Sequence, residues 1–317
     1  MDWQTAYMVI GFSLALYSVI GNDALQTLGT FMSSNKFVHW SLLALMASIV
    51  MAATLSYGWY VNNGDLSYGR LTGIPLPDDM TIWYCLPPLI LVFLTYFGFP
   101  VSTTFLVISV FAKSVIIQQM ILKSLVGYVL ALFSSYFIWL GLSQISKEHD
   151  DSSEDRDGMH WRIAQWLSTG FLWSFWLKQD MANIFVYLPR KISQNELLFI
   201  LSAITACIFL IFRQGGGKIQ EIVKNKTGVH FMRNATFINV VNGFILMFFM
   251  HYNTIPMSTT WVFVGLLAGR EAAINQLHIK PKRRKIIFPK LVRDFWKMTF
   301  GLAVSIATAL LVSYFLI

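Results

Sequence analysis

The sequence predicts an all-α integral membrane protein built from two repeats of inverted topology, each with three spanning helices and a re-entrant helical hairpin. Three observations carry that expectation: a composition too apolar for water, apolar runs of spanning length, and a pair of landmarks that occurs twice at one interval. The chain has 317 residues, 56% hydrophobic and 13% charged, with 26 Phe and 11 Trp. An ordinary soluble domain carries about 25% charged residues, so a bilayer is the natural solvent here.

In chain order, apolar runs fall at 4–21, 38–61, 123–142, 161–177, 196–212 and 294–317. Each approaches the roughly 20 residues that cross a hydrocarbon core. The first lacks the marks of a signal peptide, because Asp2 stands where a basic residue belongs and Gly21-Asn22-Asp23 replaces a cleavage site; it is read as an uncleaved span. Cys85 and Cys207 lie inside apolar segments with no metal-site spacing, which makes them core residues. The net charge of +8 sits in loops, where membrane topology accounts for it and nucleic-acid binding is not expected.

The landmarks define the repeat. Asp23 is followed 79 residues later by Ser102 in Pro-Val-Ser-Thr-Thr, and Asp180 is followed 78 residues later by Ser258 in Pro-Met-Ser-Thr-Thr. Each Pro-x-Ser-Thr-Thr ends a short apolar stretch, 82–99 or 237–252, and runs directly into more apolar sequence. Proline disfavours helix in the residue before it and suits a first helical turn, so Pro100 and Pro256 mark hairpin tips. Paired, proline-interrupted short segments at matching positions of two halves are a sequence pointer to the binding site of a secondary transporter.

Three crossings per half, an odd number, put the second half upside down. Loop charges agree: with the N-terminus outside, inner segments carry Lys36, Lys147, Arg156, Arg162, the basic residues from Arg213 to Arg233 and those from Lys280 to Arg293. Outer segments hold only Arg70, Lys123, Lys178, Arg190 and Lys191. The positive-inside bias therefore places both termini outside. Residues 1–142 form the first repeat, 143–160 an acidic inner linker, and 161–317 the second repeat. The linker lacks the ligand order of a calcium loop.

Asp23 and Asp180 lie at the ends of apolar runs. A carboxylate there costs roughly 2.5 kcal/mol or more at the helix centre unless it faces a cavity, a cation or a partner; the plainer role is a helix cap. The clusters Ser102, Thr103, Thr104 and Ser258, Thr259, Thr260 follow a proline at a helix start, where free N–H groups, the positive dipole end and hydroxyl donors favour an oxyanion. Simple N-capping is the alternative. His251, beside the second tip, is a candidate proton relay. Lys113 and Arg270, eleven and twelve residues beyond their serines, lie about 17 Å further along a continuous helix, suiting headgroup anchors.

These motifs, Gly21-Asn22-Asp23 with Gln26, Thr27 and Gly29, Asp180-Met181-Ala182-Asn183, and the duplicated Pro-x-Ser-Thr-Thr, resemble the inorganic phosphate transporter (PiT) family. The resemblance spans nearly the whole chain. It implies a dimeric symporter in which side chains of both halves surround one phosphate and adjacent sodium ions, with no cofactor and no enzymatic step. Carried over, Asp23, Asp180 and the two Ser-Thr-Thr clusters are expected to bind substrate. Asn22, Asp23, Gln26, Gln179, Asp180 and Asn183 are expected to hold the coupling ion, Na+ or H+. The chain departs from the family at Gln26, Gln179 and Lys178. The longer amides shift an oxygen by about one bond, and Lys178 has three readings: a substitute for a cation, an attractor of the anion, or a snorkelling side chain.

Phosphate keeps a proton near neutral pH and sulfate does not, so a carboxylate facing the anion favours phosphate. Sulfate fits if both carboxylates bind only cations. An uncoupled anion channel or receptor of the same fold is a further alternative. An intramembrane aspartic protease is least favoured, since neither Asp23 nor Asp180 has its Gly-x-Gly-Asp context. The expected location is a multi-pass protein of the plasma or inner membrane.

Overall fold

A computed structural model of the chain describes residues 2–97, 101–146, 158–216, 232–277 and 281–316. Among the described residues every regular element is helical. Helix α1 (Trp3–Val19) starts where the Asp2 carboxylate accepts from Thr5 N at 2.8 Å, a side-chain cap. It passes through a π-helical turn, Ile20–Ala24, into α2 (Leu25–Ser34), and α3 (Trp40–Val61) follows. A 3-10 turn, Ile82–Cys85, opens α4 (Leu86–Tyr96), with proline in the first turn where a missing N–H costs nothing. A π-helical segment, Thr104–Ile108, then leads to α5 (Ser114–Ser146). The second half comprises α6 (Met159–Asp180), the single turn α7 (Ala182–Phe185), α8 (Gln194–Arg213), α9 (Met232–Tyr252), α10 (Thr259–Leu277) and α11 (Pro281–Leu316).

Among the described residues, six helical stretches are long and apolar enough to cross a bilayer: Trp3–Ala24, Trp40–Val61, Ser114–Gly141, Gln194–Arg213, Ala235–Tyr252 and Met298–Phe315. Their outward faces carry exposed Leu45, Ile49, Phe133, Phe137, Phe199, Phe248 and Leu310, while Asn22, Asp23, Gln179, Asp180 and Asn239 are buried. Apolar outside and polar inside is the reverse of a water-soluble bundle. The chain is a multi-pass membrane protein.

Three expectations are corrected. The stretch 237–252, read as a short hairpin limb, belongs to a helix of 21 residues, so the second hairpin limb is as long as a span. The run 161–177 does form a helix, but polar Gln165, Ser168 and Thr169 turn inward along it, and it is not among the six apolar spans. The linker is shorter than 143–160, because α5 continues to Ser146 and α6 begins at Met159; its acidic residues lie outside the described residues.

Packing repeats between the halves. Helix α1 lies against α4 as α6 lies against α9, and the segment after each hairpin tip packs on the last helix of the other half: 104–108 on α11, and α10 on α5. The α5–α10 contact is backbone to backbone. A Cβ on Gly265 would stand 2.4 Å from Tyr128 O, and one on Gly269 only 2.0 Å from Leu132 O. Small residues four apart permit that approach where no water-driven force holds helices together. Elsewhere, buried Trp173 and Trp176 stack at 4.8 Å, and Trp173 Nε1 donates to Ala47 O at 2.9 Å, fixing α6 to α3.

A buried polar seam joins α2, α6 and α9. Thr30 donates to Asn239 Oδ1 at 3.0 Å, Asn239 donates to Thr169 at 2.9 Å, Gln165 donates to Ser34 at 2.7 Å, and Asn35 donates to Gln165 at 2.7 Å. Such interhelical bonds contribute about 0.6–2 kcal/mol each in a membrane. They hold α2 and α6, whose neighbouring ends carry the motif residues.

Candidate functional site

Both aspartates sit where a helix is irregular. Asn22 and Asp23 occupy the π-helical turn between α1 and α2. Gln179 and Asp180 end α6, and Asn183 lies on α7 after the break at Met181. Departures from regular hydrogen bonding turn side chains off the regular helical stripe and free backbone groups, and π-bulges recur at functional sites for that reason. All five polar side chains are buried.

The hairpin tips meet them. Thr103 donates to Asp23 Oδ2, and Thr259 donates to Asp180 Oδ2. The same bond thus occurs once in each half. Cross-links complete the set: Thr260 donates to Asp23 Oδ1 at 3.3 Å, and Asn183 donates to Thr103 Oγ1 at 2.9 Å and Thr104 Oγ1 at 3.2 Å. Thr104 lies near Asp180 as well, but its proton points to Met257 O at 3.2 Å. Every expected substrate residue is therefore in one cluster or within one residue of it.

Ser102 and Ser258 do what the plainer reading foresaw. Each Oγ accepts from the backbone three residues on, Phe105 N and Trp261 N, both at 3.3 Å. These are N-caps, contributing about 1 kcal/mol each. The second cap opens the continuous helix α10. The first opens only the π-helical segment, which gives way to turns at 109–112; the 17 Å helical offset expected for Lys113 therefore does not apply. Arg270 is buried with its guanidinium 4.9 Å from the Trp139 ring and 3.7 Å from Glu271, so it is not a headgroup anchor. His251 is exposed and bonded to Met247 O at 2.8 Å, away from the cluster. Gln26 belongs to α2, but its side chain lies outside the described residues.

Among the described residues, four buried acceptor oxygens in the cluster have no hydrogen-bond partner: Asn22 Oδ1, Gln179 Oε1, Asp180 Oδ1 and Asn183 Oδ1. Their orientation follows from what the other atoms do. Asn22 Nδ2 donates to Val101 O at 3.0 Å and Gln179 Nε2 to Leu246 O at 3.1 Å, so the oxygens must face the other way. Thr103 gives its proton to Asp23 and must accept from Asn183, which turns the Asn183 oxygen away as well. Each orphan acceptor costs about 1–3 kcal/mol. Oxygen-only ligand sets suit hard cations, and no group of three His, Cys, Asp or Glu forms among the described residues to hold a softer metal.

Sequence reasoning counted two cations, Arg70 and Lys123, only as charges of the outer segments. Arg70, buried in the loop between α3 and α4, donates through Nε to Lys178 O at 2.8 Å and through Nη1 to Ile255 O at 3.2 Å. Lys123 donates to Ile255 O at 2.6 Å and to Asn253 Oδ1 at 2.7 Å. Together they fasten α6 and α5 to the approach of the second tip. Arg70 had one signal: it is the sole Lys or Arg between Lys36 and Lys113. Lys178 itself is half-buried, its ammonium 4.8 Å from the Phe175 ring and 5.5 Å from the Tyr68 ring, a cation–π seat that accounts for it without contact to the cluster.

No family model matches the sequence, and no curated protein matches it. Among solved structures, the sodium-dependent phosphate transporter is similar with a TM-score of 0.62 and 15% identity, over 100% of this chain and 99% of that one. The chain has the fold of that transporter from end to end.

Proposed function

We propose that the protein is a secondary active transporter that moves inorganic phosphate by alternating access, coupled to Na+ or H+. The observation that carries this reading is the pair of buried aspartates, each bonded to a threonine of a hairpin tip and linked across the halves through Thr260 and Asn183. Adjacent residues of one tip, Thr259 and Thr260, donate to Asp180 and Asp23, which brings the two carboxylates to one place. An anion enters beside two buried carboxylates only with cations or protons, which is the physical root of coupling. The unpartnered oxygens of Asn22, Gln179, Asp180 and Asn183 are suited to such cations; with the threonine protons given to Asp23, Asp180 and Met257 O, the Ser102 and Ser258 hydroxyls are the tip donors left to an anion until cations release the threonines.

The twice-occurring aspartate–threonine bond and the matching helix contacts support the division into repeats 1–142 and 161–317; the odd number of crossings expected in each half supports their opposite orientation, the loop-charge bias supports both termini outside, and the resemblance to the phosphate transporter family supports a homodimeric assembly. The phosphate-transporting structural neighbour supports the substrate. Carboxylates at the anion favour phosphate, which brings its own proton, over sulfate.

Radiolabelled phosphate uptake into proteoliposomes tests the reading. Saturable uptake driven by an inward sodium or proton gradient, with less than about tenfold-weaker competition by phosphate analogues than by phosphate and little by sulfate, is expected from a carboxylate-lined site. No saturable uptake under either gradient sinks it, and equal competition by sulfate moves the assignment to a general oxyanion permease.

A further inference from the structure

The geometry points to Arg70 as a fixed counter-cation for Asp180, one that stands in for a bound coupling cation on that side of the site and so reduces the number of cations the transporter loads. This rests on the reading of Asp180 as a coupling-ion residue.

Asp180 is wholly buried, with Oδ2 engaged by Thr259 and Oδ1 without a hydrogen-bond partner. Arg70 is 3% exposed. Its Nε is bonded to the carbonyl of Lys178, in the last turn of α6, where unpaired carbonyls and the negative dipole end favour a cation. Its Nη1 holds Ile255 O at the approach to the tip that presents Thr259. The guanidinium is thereby tied to both chain segments that make the Asp180–Thr259 bond, through the backbone two residues before Asp180 and four residues before Thr259. The two side chains form no ion pair within 4.0 Å among the described residues, so the role assigned to Arg70 is that of a nearby fixed charge.

Burial pushes the Arg70 guanidinium down to about 10, with the Asp180 charge opposing the shift. It stays charged at neutral pH. In a low-dielectric site a permanent positive charge beside a carboxylate both neutralises it and repels a mobile cation from the same oxygens. Lys178 does not compete for this role, because its ammonium is seated on Phe175 and Tyr68. Lys123 shares Ile255 O with Arg70 and provides a control for the pinning of the tip.

The test uses the full chain in detergent, without phosphate, so that it stands even if phosphate proves not to be the substrate. The apparent melting temperature is followed against Na+ at constant ionic strength, with choline as the replacement, for wild type, Arg70→Gln, Arg70→Lys and Lys123→Gln. Arg70→Gln should lower the half-stabilising Na+ concentration at least about tenfold, or create a sodium response where wild type has none. Arg70→Lys and Lys123→Gln should stay within about twofold of wild type. Adding Asp180→Asn to Arg70→Gln should remove the gain. Should Arg70→Gln fail to fold, Arg70→His takes its place: the sodium gain should appear at about pH 8, where the imidazole is neutral, and vanish at about pH 5.5, where it is charged, and an unchanged response at both overturns the proposal. An Arg70→Gln melting temperature displaced equally at every Na+ concentration would make Arg70 a structural pin only. That result overturns the proposal.

Discussion

Asp23→Asn and Asp180→Asn each reduce phosphate uptake in proteoliposomes by about 100-fold or more, while the protein inserts and purifies as wild type. The substitution keeps shape and one acceptor oxygen, so Thr103 and Thr260 retain a partner at Asp23 and Thr259 one at Asp180. What disappears is a buried charge. A charge-assisted contact in a low-dielectric site accounts for about 3 kcal/mol, or two decades of rate or affinity. At Asp23 stability should move little or rise, because a carboxylate in a membrane interior is itself costly; at Asp180 that gain is offset by the buried charge left on Arg70. Thr259→Val separates charge from hydrogen bonding: it loses a single neutral-to-charged bond, and uptake should fall only about tenfold; Thr103→Val loses the equivalent bond and also the acceptor of Asn183, and should cost somewhat more. Size-exclusion profiles and circular dichroism check the fold. Wild-type uptake by both asparagine variants removes the pair from the mechanism.

The positions that matter most for that prediction were legible because they are local and doubled. Asp23 with Ser102–Thr104, and Asp180 with Ser258–Thr260, recur at intervals of 79 and 78 residues, and the folded chain closes each interval with a threonine–aspartate bond. Helix limits were less legible where polar residues are satisfied by distant partners. The apolar run beginning at 123 belongs to a helix that begins at Ser114. Gln118, Gln119 and Lys123 break the hydropathy there, yet Lys123 is matched by Asn253 and Ile255 of the other half, which no local window registers. The same holds for α11, whose N-terminal part from Pro281 is basic and so gave no apolar signal, although proline at a first turn and Lys, Arg and Leu after it are compatible with helix. Arg70 was legible only as an outer-segment charge for a related reason. Its role comes from the backbone oxygens of Lys178 and Ile255, and carbonyls leave no trace in side-chain sequence.

The second large effect concerns stability, through the glycines of α10. Gly265→Val and Gly269→Val should each destabilise the protein by about 1–3 kcal/mol, and together abolish recovery of a monodisperse species after extraction. A Cβ at these sites meets backbone, Tyr128 O at 2.4 Å and Leu132 O at 2.0 Å, and backbone cannot step aside as a flexible side chain can. Helices α5 and α10 would have to separate, losing van der Waals contact that lipid tails do not replace in a specific way. Gly141→Ala, with nothing within 4 Å of the new Cβ, is the matched control and should stabilise by about 0.5–1 kcal/mol through helix propensity. Fluorescence-detected thermal unfolding distinguishes the two signs. The consequence for function follows from where α10 begins: Thr259 and Thr260 form its first turn, so widening the α5–α10 gap draws their hydroxyls from Asp180 and Asp23. Uptake by whatever folded fraction remains should therefore fall more than the amount of protein does. Full specific uptake by a folded Gly269→Val variant would show that the tip is positioned independently of the helix behind it.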